Sequence, residues 1–352
     1  MVTPEAGSQP ERLGVLAGVT VVELGGMGPG PFAGMMLADH GAEVTVLKRP
    51  QPVPRMHQGQ SVLERGKRLE AVDLKSATGR ERALELVAAA DVSIEGFRPG
   101  TAERLGLGPA DCRAVNSRLV YARMTGWGQE GPFAHLGGHD INYIALAGYL
   151  AQVGREGTGP VPPLNIVGDF GGGGMMLAFG IMAALFDARR TGHGRIVDAA
   201  MIDGVALLMG QYYAPARRLG PRGTNLFDSG APFYDVYRTA DSGYMAVGAT
   251  GADLYGALLR GLGLDPAQLP PQLDRAGWPV LRERLQAAFA TRTRDEWAAV
   301  FADADAAVTP VLDPYEAPRH PHHQARGTYI GAGDGHEPTP APRFYELDDP
   351  AC

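Results

Sequence analysis

Short β-branched runs alternating with helical stretches set the fold class of this chain. Val19-Thr-Val-Val-Glu-Leu24 reads as a strand, Phe32 to His40 as a helix and Glu43-Val-Thr-Val-Leu47 as a second strand, a βαβ opening. The pattern continues with a helix over Glu81 to Ala90, a strand over Asp91 to Ile94, a short helix over Thr101 to Leu105 and a strand over Arg118 to Met124. Strands that run parallel need crossover connections, so this order predicts an α/β fold around a mostly parallel, doubly wound, Rossmann-like sheet.

Two long apolar helices are expected between Met175 and Ala214, broken at Thr191-Gly-His-Gly194, as core or interface packing. The longest apolar run, Gly171 to Phe186, opens with glycines and falls short of the roughly 20 residues that cross a bilayer, which predicts a buried helix. Beyond it the texture changes. Phe233 to Thr239 and Tyr244 to Gly248 read as strands joined through Asp241-Ser-Gly243. Helices follow at Asp253 to Leu262, Val280 to Ala290 and Arg294 to Ala302, the last behind a capping box, Thr293-Arg-Asp-Glu296. Three segments result: a large Rossmann-like domain over 1–225, a smaller α+β domain over 226–318, and a proline-rich segment over 319–352 that returns to the large domain. Pro310 to Pro342 is expected to be irregular.

Composition narrows the function. A chain of 352 residues, 45% hydrophobic, buries a sizeable core, and its formal net charge of -7 argues against nucleic-acid and anionic-membrane partners, which need a positive field. Its only cysteines, Cys112 and Cys352, are too few for a disulfide framework or a thiolate metal site, which suits a reducing cytoplasm. Met1 to Gly14 has neither the basic start nor the apolar stretch of a signal peptide and reads as a frayed tail.

The loop Gly28-Pro-Gly30-Pro-Phe-Ala33 fits the loose dinucleotide fingerprint between a strand and a helix. Pro29 and Pro31 remove N–H donors from it, and the second strand ends in Lys48-Arg49 instead of a ribose-binding carboxylate, so a nicotinamide cofactor fits poorly. A basic pair there suits a ribose phosphate, of NADP or of coenzyme A, or is solvated surface charge. Arg65, Lys67, Arg68, Lys75, Arg98 and Arg104 extend the cluster, and in an acidic protein such a cluster suits a polyphosphate.

Three residues invite both a chemical and a structural reading. Asp140 and Asp169 each stand where an N-cap is expected. His139, flanked by glycine ahead of a helix, is expected to be accessible, and an accessible imidazole suits proton transfer. At Asp169 the following glycines, Gly171 to Gly174, would also admit a ligand, and the helix N–H groups would stabilise an oxyanion, worth roughly 3 to 4 kcal/mol per donor. His320-Pro-His-His323 lacks a carboxylate or cysteine partner set for a metal, and neither cysteine has the neighbours of a nucleophile.

Taken together, Val21-Val-Glu-Leu24 with its Gly-Pro loop, Ala71-Val-Asp-Leu-Lys75, Glu95 to Gly100, Glu103 to Gly108, Tyr121 to Gln129, Gly138 to Tyr143, Val161 to Gly173 and Gly230 to Asp235 resemble the family III CoA-transferase superfamily of CaiB/BaiF type, in its α-methylacyl-CoA racemase branch. The resemblance implies an interlocked homodimer and an acyl-CoA thioester substrate. No separate cofactor is implied, because coenzyme A is part of the substrate. It implies that Arg49, Arg65, Lys75, Arg98 and Arg104 hold the CoA nucleotide and phosphates, with Ala71, Val72 and Asp73 lining the same cleft. Gly138, Asp140 and Tyr143 would wall the thioester, and His139 and Asp169 would be the two catalytic groups. One removes the α-proton to give an enolate, and the other returns a proton to the opposite face.

Two alternatives stay open: CoA transfer with Asp169 as nucleophile, and a racemase-like protein that binds acyl-CoA with altered or weak activity. The second arises because Val247-Gly-Ala-Thr-Gly-Ala-Asp-Leu-Tyr255 has Gly251 where the family usually has a glutamate that supports the histidine across the dimer. The chain also stops soon after Phe344, where relatives often continue into a closing helix.

Overall fold

A computed structural model describes residues 14–50, 62–215, 219–332 and 335–347. The expected N-terminal tail, apart from Gly14, and Cys352 lie outside the described residues. The chain forms two compact units. One takes the described residues up to Gly148, Pro163–Gly210 and those from Thr339 on; the other takes Tyr149–Pro162 and Gln211–Pro338.

In the larger unit, β1 (Thr20–Glu23), β2 (Glu43–Lys48), β3 (Lys67–Ala71), β4 (Val92–Glu95), β5 (Val120–Thr125) and β6 (Arg195–Ala200) form one sheet in the order β3-β2-β1-β4-β5-β6. Every pairing is parallel. The connecting helices are α1 (Pro29–Asp39), α2 (Ala77–Ala88), α3 (Thr101–Arg104), α4 (Pro109–Val115), α5 (Asp140–Leu146), α6 (Met176–Thr191) and α7 (Met201–Leu208). Local chemistry fixes their ends. Pro29 opens α1, where its missing N–H costs nothing, and Ser76 caps α2 by accepting the Gly79 N–H at 3.0 Å.

The sheet is covered on both faces. Val21, Val44, Val92, Ile94 and Val120 pack with Leu37 of α1 and with Leu177 and Ile181 of α6. Val22, Leu47 and Tyr121 pack on the other face with Ala83 and Val87 of α2 and Cys112 of α4. Each fully buried Leu or Ile contributes about 1.5 to 3 kcal/mol, so this double layer is what holds the strand ends still.

Several expectations are corrected here. Residues 175–214 were expected to be two helices, but the chain passes from α6 through a strand, β6, before α7. β6 is an edge strand with Arg195 and Ile196 exposed, so its hydrophobic pattern is weak. The apolar helix is also longer than expected: a helical run covers Leu164–Thr191, long and apolar enough to cross a membrane by length and composition. It is not wholly buried. Leu177, Ile181, Leu185 and Ala188 enter the core, while Phe179 is 71% and Phe186 74% exposed.

In the smaller unit, β7 (Tyr234–Arg238), β8 (Tyr244–Gly248) and β9 (Val308–Pro310) form an antiparallel sheet in that order. The chain reaches this unit through α8 (Gly210–Tyr213). Helices α9 (Ala252–Leu262), α10 (Trp278–Phe289) and α11 (Arg294–Phe301) share a core with the sheet through Phe233, Met245, Leu258, Leu281, Leu285 and Phe289. The capping box at α11 is formed, with the Thr293 N–H donating to Glu296 Oε2 at 2.8 Å. The unit boundaries differ from those expected: residues 149–162 and 211–225 pack here, and so do 319–338. The proline-rich segment contains α12 (Pro321–Arg326) and an antiparallel pair, β10 (Tyr329–Ala332) with β11 (Gly335–Pro338), where an irregular chain was expected.

Candidate active site

The order of the sheet reverses beside β1, which pairs with β2 on one side and β4 on the other. In open parallel sheets ligands bind beyond the carboxyl ends of the strands at this switch point. The loops that leave those ends are Gly25 to Gly28 after β1, Arg49 after β2, Val72 to Lys75 after β3, Gly96 to Gly100 after β4 and Gly126 to His139 after β5. Most residues singled out in the sequence therefore share one edge of the sheet.

His139 immediately precedes α5, with an extended backbone, and its N–H donates to Asn142 Oδ1 at 3.0 Å. Its residue is exposed. Asp140, in contrast, is 3% exposed and turned inward. One of its oxygens, Oδ2, accepts the N–H of Gly168 at 2.6 Å and that of Asp169 at 2.8 Å. Asp140 is thus not the N-cap, a position His139 holds, and its carboxylate binds the backbone that carries Asp169.

Asp169 lies inside a π-helical stretch, Val167–Met175, that runs into α6. It is not an N-cap, which corrects that expectation, and π-helical turns recur at functional sites. Its Oδ2 accepts from the Asn165 side-chain amide at 2.9 Å. Burial raises its carboxyl above the ordinary range; the Asn165 hydrogen bond opposes this, the Asp140 charge adds to it, and the His139 imidazole opposes it. The two candidate catalytic groups therefore lie close enough to interact electrostatically.

The surroundings fit a ligand-facing carboxylate. Gly28 has φ +69, and a Cβ built on it would lie 3.7 Å from Asp169 Oδ2, so the glycine loop after β1 abuts the carboxylate. Tyr143 is buried and packs edge-on against Trp127 at 4.7 Å. Its hydroxyl is pushed up to about 12, chiefly by burial and then by the Asp169 charge, with Arg98 opposing. A Cβ on Gly126 would sit 2.2 Å from the Tyr143 ring, which is why glycine follows β5. Gly138 meets the same ring and the Trp127 indole.

The basic residues divide. Arg49, Lys75 and Arg98 are exposed beyond strand ends, and Arg104 is exposed in α3, its Nη2 donating to Thr101 Oγ1. Glu95, 1% exposed, fixes the loop that carries Arg98 by accepting from Arg123 Nε at 2.9 Å and from the Phe97 N–H at 2.8 Å. Arg65 departs from expectation. It precedes β3 and forms a two-bond ion pair with Asp39, the last residue of α1, at 2.9 and 2.6 Å. Both positions belong to the amino edge of the sheet, away from the loops above. Lys67 is also withdrawn, its side chain 1% exposed against Glu23. Ala71 and Asp73 are exposed, but Val72 is buried in the core and its N–H donates to Lys48 O, so only its carbonyl could face a ligand.

Cys112 is buried, with its thiol pushed up to about 12 by that burial, which leaves no thiolate for chemistry. Among the described residues no three His, Cys, Asp or Glu side chains gather as a metal site. His322 and His323 lie in α12 with rings in contact.

The sequence pattern of CoA-transferase family III matches residues 16–349. The chain belongs to CoA-transferase family III. It is 46% identical to the mouse (Mus musculus) alpha-methylacyl-CoA racemase, an alignment covering 94% of this chain and 85% of the relative. Identity to the human (Homo sapiens) alpha-methylacyl-CoA racemase is 45%, covering 96% and 87%. The crystal structure of a CAIB/BAIF family protein from Brucella suis superposes with a TM-score of 0.80 at 25% identity, over 95% of this chain and 93% of that one.

Against these family III residues, sequence reasoning left out Asn165 and the approach of Gly28 to Asp169. Asn165 lies within the stretch Val161 to Gly173 that carried the resemblance, four residues before Asp169. That spacing was the available signal, but the contact itself is made across a break in the helix, which the spacing does not encode.

Proposed function

We propose that this protein is an α-methylacyl-CoA racemase that inverts the α-carbon of a 2-methylacyl-CoA by 1,1-proton transfer. The observation that carries the reading is the tie between Asp140 and the N–H of Asp169, which holds a carboxylate near the imidazole next to Asp140. Two relatives named as alpha-methylacyl-CoA racemases, similar over nearly the whole chain, support it.

The chemistry follows from the two groups. One takes the α-proton, the C–H electron pair passes into an enolate whose charge rests on the thioester oxygen, and the other delivers a proton to the opposite face. Different bases on the two faces are what inversion requires. The raised carboxyl of Asp169 brings its affinity for a proton closer to the working pH, which favours both uptake and release. Arg49, Lys75, Arg98 and Arg104 would neutralise the phosphates of the CoA moiety, leaving the thioester to reach the site. Because the reaction only moves a proton, the proposal includes no cofactor beyond the substrate's own CoA and no metal.

We further propose a homodimer, because the exposed apolar side of α6 with Phe179, Met182 and Phe186 would be covered by a second copy. The acidic charge and the buried thiol of Cys112 suit the cytoplasm, with neither nucleic acid nor membrane as partner.

The test is incubation of a 2-methylacyl-CoA in heavy water. Deuterium at the α-carbon with loss of stereochemical purity is the expected result, and His139→Ala and Asp169→Asn should each abolish it. Exchange of CoA onto an added carboxylate, without α-deuterium, would instead identify a transferase with Asp169 as nucleophile. Binding of acetyl-CoA with neither reaction would leave a binding protein.

A further inference from the structure

We propose that Asn165 is a positioning residue that pins Asp169 Oδ2 and thereby makes Oδ1 the oxygen that carries the α-proton. The inference rests on the racemase reading above and adds to it the choice of oxygen and the device that sets its basicity.

The geometry comes from an interruption of the helix. Asn165 has φ −84 and ψ 48, outside helical values, at the point where a short turn, Leu164–Ile166, gives way to the π-helical stretch. That conformation brings its side-chain amide to 2.9 Å from Asp169 Oδ2. A Cβ built on Gly28 would lie 3.7 Å from the same oxygen, so the glycine keeps that side of Oδ2 open. The backbone of Asp169 is fixed independently by Asp140. With Oδ2 so occupied, Oδ1 has no hydrogen-bond partner among the described residues and is the oxygen left for the substrate.

Burial and three groups act on the protonation of this carboxylate. His139 and the Asn165 amide favour the ionised form, while Asp140 and burial disfavour it. Tyr143 senses the same charge from α5, with Arg98 acting on the tyrosine in turn. Asn165 differs from the others in donating a direct hydrogen bond, which stabilises the charged acceptor and is lost outright on substitution. In the reaction the α-C–H bond breaks, an O–H bond forms at Oδ1, and the electron pair moves into the enolate. His139 then returns a proton to the other face, and the two groups are reset when the pair exchanges protons with solvent.

The experiment is the pH–rate profile of α-deuterium incorporation into a 2-methylacyl-CoA by the full-length protein, with Asn165→Ala and Asn165→Asp. The acid limb marks the loss of the singly protonated His139–Asp169 pair. Removing the donor strengthens proton binding at Asp169, so Asn165→Ala should move that limb upward by roughly one pH unit, a tenfold change in the protonation ratio. Asn165→Asp keeps the shape but offers a like charge in place of the donor, and should move the limb further. A role confined to shaping the chain predicts the reverse, with the isosteric Asp variant returning the parental profile, and that result overturns the proposal. So does a limb that stays in place in both variants while His139→Ala and Asp169→Asn each abolish exchange. Should Asp169→Asn exchange at the parental rate, the racemase reading itself falls. If Asn165→Ala does not fold, Asn165→Asp decides alone.

Discussion

Asp140 accepts the backbone N–H of Asp169 at 2.8 Å while its own chain neighbour is His139. One buried carboxylate therefore links the two candidate catalytic residues, from the first turn of α5 to the helical run that precedes β6.

Replacing that carboxylate tests the tie. Asp140→Ala leaves the N–H groups of Gly168 and Asp169 without their acceptor, at about 1 to 3 kcal/mol for each buried group. We expect denaturant unfolding to show a loss of about 2 to 4 kcal/mol and α-exchange to fall by more than tenfold, because a displaced base no longer meets the substrate carbon. Asp140→Asn, which keeps an oxygen for both N–H groups, should lose only about 1 kcal/mol. A stable, fully active Asp140→Ala would show that the two elements hold their register without it.

Asp169 should trade stability for reactivity. Its folded carboxyl titrates above the unfolded value of 3.8 because burial disfavours the charge. Between those two values the native state binds more protons than the unfolded one, so stability falls as pH rises through that window and stays lower above it. Asp169→Asn carries no such charge. Its Tm should exceed that of the parent at pH 7 and the difference should vanish in acid below the window, while exchange is lost. Equal Tm values at pH 7 would mean that the buried carboxylate carries no net cost.

The fold was legible where burial is two-sided. β4 and β5 are buried along their whole lengths, and Val92, Ile94, Val120 and Tyr121 supply the β-branched and aromatic residues that mark them as strands. β3 and β6 are edges: Lys67-Arg-Leu-Glu-Ala71 alternates without an apolar face, and β6 exposes Arg195 and Ile196, so neither reads as a strand locally. The site divides in the same way. His139 stands out by its glycine neighbours, but the inward turn of Asp140 depends on contacts 28 and 29 residues away along the chain, which no local pattern encodes. Arg65 misled for the converse reason, since a basic residue looks the same whether it faces a phosphate or, as here, Asp39.

Gly251 offers a gain-of-function test. It caps α9 with φ −81, a conformation open to any residue, and a Cβ there would make only ordinary contact with Leu254 at 3.9 Å. The resemblance implies a glutamate at this position. Gly251→Glu should therefore fold with a stability change below about 1 kcal/mol, as expected for a surface substitution without strain. If a carboxylate there supports the histidine, the rate of α-deuterium incorporation should rise severalfold. A folded variant with an unchanged rate would show that this chain has organised His139 without that partner.

The buried pair beneath the glycine loop gives a last test, by double-mutant cycle. Lys67 Nζ donates to Glu23 Oε2 and to Pro31 O, both at 2.7 Å, and the two side chains are 1% and 2% exposed. Burial raises the Glu23 carboxyl and lowers the Lys67 ammonium, so the desolvation of each charge is offset mainly by the other. Lys67→Met alone strands a carboxylate in the core, at about 3 to 5 kcal/mol, whereas an apolar pair of similar volume is often neutral. Glu23→Leu combined with Lys67→Met should thus recover most of the loss in urea unfolding. Activity should not recover with it, because the Pro31 carbonyl at the start of α1 still lacks its donor and the loop beside Asp169 is no longer anchored. Recovery of both would mean that packing of Phe32 against Phe170, 5.1 Å between ring centres, is enough to hold that loop.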